Sequence, residues 1–178
     1  MGETTTRECE ERELDGTTTR YEEVPVSGDT VERLMTELFT EHWAHITVGP
    51  LIQGAVFEIR FTAQPRISVS DGYLTVDPGA WHFHLCVNDH QGTPSPELAR
   101  LRRVARAAFF RTEGGSHGGG HSTPTWGLRL WNGREEQMIT VLFPNPYYDE
   151  DWRFLKEPRW EKTALWETLR GRYAGKSS

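Results

Sequence analysis

The chain has 178 residues, 36% hydrophobic and 11% aromatic, with seven tryptophans and a formal net charge of −6. That length suits one domain with one substantial core, and the large rings supply buried area that a modest apolar fraction would not. The acidic balance argues against a general nucleic-acid binder, and no apolar run approaches the roughly 18 residues of a membrane span, so neither nucleic acid nor membrane is an expected partner.

Residues 1–24 are rich in charge and lack a hydrophobic period, which predicts a disordered acidic tail before a single domain over 25–175. The tail is unlike a signal or transit peptide, and Cys9 and Cys86 make no disulfide framework; both point to a cytoplasmic protein. Ser27 or Asp29 then offers a helix cap. Val31, Leu34, Met35, Leu38, Phe39 and His42 recur at helical spacing, so the first helix runs to about Ala44. Gly49-Pro50 breaks it.

Four strands are predicted next. "GAVFEIRFTA" sets Phe57, Ile59 and Phe61 against Glu58, Arg60 and Thr62. "RISVSDGYLTV" alternates on either side of Asp71-Gly72, a pair suited to a two-residue type I′ turn. "WHFHLCVN" puts Trp81, Phe83, Leu85 and Val87 on one face and His82, His84 and Cys86 on the other. "SPELARLRRVARAAFF" reads as a helix capped by Ser95 with Pro96 in its first position, its basic run at 99–106 forming a solvated face. A glycine loop, "EGGSHGGGH", follows. "TWGLRLWN" and "EEQMITVLFPN" are two further strands, and a last helix spans about Pro158 to Tyr173. The predicted order is α-β-β-β-β-α-β-β-α. This is an α+β fold, a single mostly antiparallel sheet of about six strands packed on three helices.

The core face of that sheet would collect Phe57, Ile59, Phe61, Phe83 and Leu85, with Leu128, Ile139 and Val141 from the later strands. The other face would gather Glu58, Arg60, His82, His84, Cys86, Arg129 and Trp131. A His-x-His pair can offer two nitrogens to a divalent zinc or iron ion, with Glu58 or His45 as a third ligand. Without a metal, His82 or His84 could serve as general acid or base while Arg60 or Arg129 holds an anionic substrate. The leading expectation is a small metal-dependent enzyme: catalytic His82, His84, Arg60 and Arg129, metal ligands His82, His84 and Glu58, and a small anionic or aromatic substrate. Against this, His-x-His on a strand is common and by itself a weak metal signal. The competing expectation is a non-catalytic module whose exposed aromatics grip a small-molecule or protein partner, as a possible homodimer. His42 and His45 suit the negative end of the first helix, and His117 and His121 sit in a loop that imposes no geometry. Phosphate loops, Gly-x-Ser-x-Gly elbows, Cys-x-x-Cys pairs and dinucleotide fingerprints are all missing from the sequence.

Three resemblances bear on these expectations. His82-x-His84 with Asp89 is similar to the first cupin motif, but the later strand pair lacks the histidine of the second. From "LFTEHW" through "WHFHLC", "WGLRLWNG" and "MITVLFPNP", about residues 30–172, the chain resembles a small uncharacterised bacterial domain family with a WHFHLC strand signature and no attached activity. The element order also resembles that of the small chaperones of bacterial type III secretion, which implies a partner-binding and dimeric module.

Overall fold

The computed structural model describes residues 8–12, 16–52, 54–113, 116–117, 120–121 and 123–174. In chain order the first elements are β1 (Glu8–Arg12), β2 (Thr18–Val24), helix α1 (Thr30–Glu41), β3 (Thr47–Gly49), β4 (Leu51–Ile52), β5 (Ala55–Val56) and β6 (Ile59–Arg60). Then come β7 (Arg66–Ser70), β8 (Tyr73–Asp77), β9 (Phe83–Cys86), helix α2 (Pro96–Arg102) and β10 (Val104–Thr112). β11 (Ser116–His117), β12 (Gly120–His121), β13 (Trp126–Asn132), β14 (Gln137–Leu142) and helix α3 (Ala164–Tyr173) complete the chain. The fold is α+β, as expected, but its strands divide among several sheets. Seven form one antiparallel sheet in the order β1-β2-β10-β13-β14-β3-β6, three form a second (β7-β8-β9), and β4-β5 and β11-β12 are two-stranded.

Two expectations fail together, for one physical reason. Within the segment read as tail, Glu8–Arg12 and Thr18–Val24 form β1 and β2, while residues 1–7 and 13–15 lie outside the described part. The helix expected through Phe110 stops at Arg102, and Arg103 turns into extended backbone. Beyond it β10 pairs with β2 on one side and β13 on the other. In that strand Phe109 and Phe110 point to opposite faces and are 0% and 1% exposed. A helix could not bury both without a second covering layer, and the ladder needs β2 as partner. Ser95 does cap the short α2, its hydroxyl accepting the Leu98 N–H at 3.1 Å.

The core lies between one face of the seven-stranded sheet and a layer made by α1, α3 and the three-stranded sheet. Phe109, Leu128, Leu130 and Val141 meet Leu34, Leu38 and Phe39 from α1, Trp166 and Leu169 from α3, and Leu74, Val76 and Leu85. Each such side chain contributes about 1.5–3 kcal/mol by leaving water. The Asp71-Gly72 turn has positive φ at both residues, 49° and 80°, the type I′ geometry the sequence predicts. A Cβ on Gly72 would also stand 2.7 Å from the Asp89 carbonyl oxygen.

The long strand expected over "GAVFEIRFTA" is instead two short ones, β5 and β6. Only Phe61 of its three alternating aromatic and aliphatic positions is buried; Phe57 is 54% and Ile59 37% exposed. Gly49 permits this: a Cβ there would lie 1.9 Å from the Phe57 carbonyl oxygen, so only glycine lets the Phe57 backbone come this close to β3 while its ring stays exposed.

Candidate functional site

His82 and His84 lie where the period-2 reading places them, on the exposed face of the three-stranded sheet. In register, His84 faces Thr75 and Cys86 faces Tyr73. His84 Nδ1 lies 2.7 Å from the Thr75 hydroxyl, and the His82 and His84 rings are 5.1 Å apart. Tyr73 extends the stripe, its ring 5.1 Å from that of His90, whose Nε2 lies 2.9 Å from Asp71. Arg66, through a hydrogen bond, and then the Gly79 N–H hold the Asp77 carboxyl below the usual carboxylate range. Cys86 is buried rather than offered to solvent, and its thiol donates to the Asn88 carbonyl. Burial pushes that thiol's pKa up, away from the thiolate a nucleophile needs.

The residues expected to meet the histidines do not belong to that sheet. Glu58 immediately precedes β6, and Arg60 lies on β6 itself, the last strand of the seven-stranded sheet. Arg129, on β13, covers the outer face of the same sheet. Its guanidinium lies 4.6 Å from the Phe110 ring centre and donates to the Tyr21 hydroxyl at 2.7 Å. Among the described residues the metal-capable group of three is Glu37, Glu41 and His42, without His82, His84, His45 or Glu58. Glu37 is already engaged by Arg172 and by the Tyr173 hydroxyl. The side chains of His117 and His121 lie outside the described part.

Two clefts take other parts of the surface. The larger, about 600 Å³, lies between α3 and the β1–β2 edge. Trp126 and Trp166, both nearly buried, form its floor. Trp166 is fixed by its indole N–H, which donates to the Gly127 carbonyl at 3.0 Å. Arg111 stacks 5.2 Å from Trp126 and Arg170 5.0 Å from Trp166. Arg20 is tied to Glu10 and Glu113, and Arg170 Nη1 to both oxygens of Glu22 at 2.7 and 2.8 Å. Arg111 has no carboxylate partner among the described residues. Arg170 Nε is the buried side-chain polar atom that lacks a hydrogen-bond partner among them. No sequence signal marked this cleft, because half of it comes from β1 and β2.

The smaller cleft, about 300 Å³, lies beside the β3–β6 edge and is closed by the loop after β14. It takes in Arg60, His45 and Lys162, with the Arg60 guanidinium 4.3 Å from the Trp152 ring centre.

A family model described as a family of unknown function (DUF7676) matches residues 8–175. Among curated proteins none matches the sequence. Two solved structures of ChuX are similar to this chain. One has a TM-score of 0.49 at 14% identity, covering 85% of this chain and 78% of that one. The other, described as the heme-binding protein ChuX, has a TM-score of 0.48 at 16% identity, covering 89% and 78%. The expected zinc or iron ion on His82, His84 and Glu58 is corrected: among the described residues no third ligand joins His82 and His84. No helix among the described residues is long and apolar enough to cross a membrane.

Proposed function

The chain belongs to the DUF7676 family, whose function is unknown, and from that premise we propose that it is a non-catalytic module binding a small molecule in the cleft between α3 and the β1–β2 edge. The observation that carries this reading is Arg170 Nε, a buried donor without an acceptor among the described residues, on a side chain that lines that cleft. Such a donor costs about 1–3 kcal/mol when nothing meets it, and a ligand oxygen would remove that cost. Arg111 lines the same cleft without a carboxylate partner among the described residues, and the two indoles supply apolar floor. A flat molecule carrying a carboxylate fits this combination. Binding is favoured over catalysis because three of the five carboxylates lining the cleft, Glu10, Glu113 and Glu22, are held in ion pairs by Arg20 and Arg170, and Glu167 accepts from the Thr163 hydroxyl. His82 and His84, the natural acid–base groups, stand on an open sheet face away from this cleft.

Tryptophan fluorescence titrated with benzoate, indole-3-carboxylate and hemin, a flat ring with two carboxylates, tests the proposal. Saturable quenching by at least one probe is expected. Arg170→Lys, which keeps the charge opposite Glu22 but lacks Nε, should weaken that probe about tenfold, the size of one charge-assisted hydrogen bond. Equal affinity of wild type and Arg170→Lys for every probe that binds, or no saturable probe at all, sinks it.

A further inference from the structure

We propose that the smaller cleft is a second and separate site that binds an oxyanion group, carboxylate or phosphate, on Arg60. The first observation is charge. Arg60 is exposed, and among the described residues no carboxylate lies within ion-pair distance of it; its guanidinium instead lies 4.3 Å from the Trp152 ring. The acidic residues of the cleft are already engaged. Asp149 accepts the backbone N–H groups of Asp151 at 2.9 Å and Arg153 at 2.8 Å, and those bonds, the Arg153 one first, hold its carboxyl below the ordinary range. Glu150 pairs with Arg159 at 3.0 Å. Lys162 lines the same cleft but is held by Glu150 at 3.8 Å and by the Tyr148 carbonyl, so among the described residues the cation left without an acidic partner there is Arg60.

The second observation is backbone strain. Trp152 has φ of +63°, the left-handed region, where a bulky side chain is an outlier. The loop around it over-determines that conformation: Tyr148 bridges to Phe154, and the Trp152 N–H reaches the Asp149 carbonyl at 3.3 Å. The ring so placed is not core, for it is 47% exposed. What the strain secures is an indole lying flat under Arg60. A stacked guanidinium is pre-organised, keeping its in-plane N–H fork for two oxygens of one anion, the geometry in which arginine binds carboxylate and phosphate best.

The test is a titration of the full chain with inorganic phosphate and, separately, with acetate, against sodium chloride at matched ionic strength. The readout is the indole N–H NMR resonance assigned to Trp152 by its loss in Trp152→Phe. Saturable movement of that resonance with either oxyanion and not with chloride supports the site. Arg60→Gln should weaken it about tenfold, the loss of a charged hydrogen-bond partner, without changing the melting temperature by more than about 1 °C. Trp152→Gly removes the platform but relieves the φ strain, so it should weaken binding read by calorimetry without lowering stability. An identical shift with chloride, or equal affinity in Arg60→Gln, overturns the proposal. Binding at the α3 cleft is unaffected by either result.

Discussion

Gly127 offers the sharpest test of how the sheet is packed. It sits on β13 opposite Phe110, and a Cβ there would lie 2.2 Å from Phe110 Cε1 and 2.3 Å from Cζ. The Phe110 ring is 1% exposed, with the Arg129 guanidinium 4.6 Å from its centre and the Tyr21 ring 6.0 Å away, so it has nowhere to swing. Gly127→Ala therefore overpacks a closed space, at about 1–3 kcal/mol. For a chain of this size each kcal/mol moves the melting temperature by about 2–4 °C, so a fall of roughly 2–12 °C is expected by calorimetry. Phe110→Leu in the same background makes room. The double variant should be less destabilised than the two single changes summed, by about 1 kcal/mol or more. A melting temperature for Gly127→Ala equal to wild type would refute the close approach.

Two other changes probe separate elements. Ser95→Ala removes the α2 cap and should cost about 1 kcal/mol in urea unfolding with an unchanged m-value. Glu37 reports on acid stability: burial pushes its carboxyl up, but the Tyr173 hydroxyl and Arg172 overcome this and hold it below the ordinary range. A depressed folded pKa stabilises above the unfolded value of about 4.3, and that contribution is lost as pH falls through the folded one. Glu37→Gln should accordingly flatten the fall of melting temperature below about pH 4.5, whereas an unchanged acid limb would discount the pairing.

Local signals carried much of the fold. The α1 stripe from Val31 to Phe39, the Asp71-Gly72 turn, the Ser95 cap and the exposure of His82 and His84 depend on neighbours a few residues away, and the sequence predicts each of them. What it does not show are pairings across long separations. β2, "TTRYEEV", buries Thr19, Tyr21 and Val24 yet looks polar, and the partner that ties it into the sheet, β10, lies more than eighty residues later. Without β2, "VARAAFF" reads as helix, and half of the α3 cleft is lost from view. The convergence of Glu58, Arg60 and Arg129 on the histidines assumed one sheet, and a period-2 pattern identifies a face but not which sheet owns it. The exposure of Phe57 goes with a close backbone approach that Gly49 permits, which no periodicity encodes.

The seven-stranded sheet does not close, so it has two rims, and rims with free backbone groups are where chains stick to one another. β1 guards one with exposed Glu8, Glu10, Glu11 and Arg12, charges that an incoming strand would have to strip of water. β6 guards the other by brevity, offering only two residues, of which one is Arg60. Deleting β1 would leave β2 as the rim, with the backbone groups of Thr18–Glu22 that β1 now pairs left open. Aggregation from the exposed β2, rather than simple loss of stability, is the failure to expect from such a truncation.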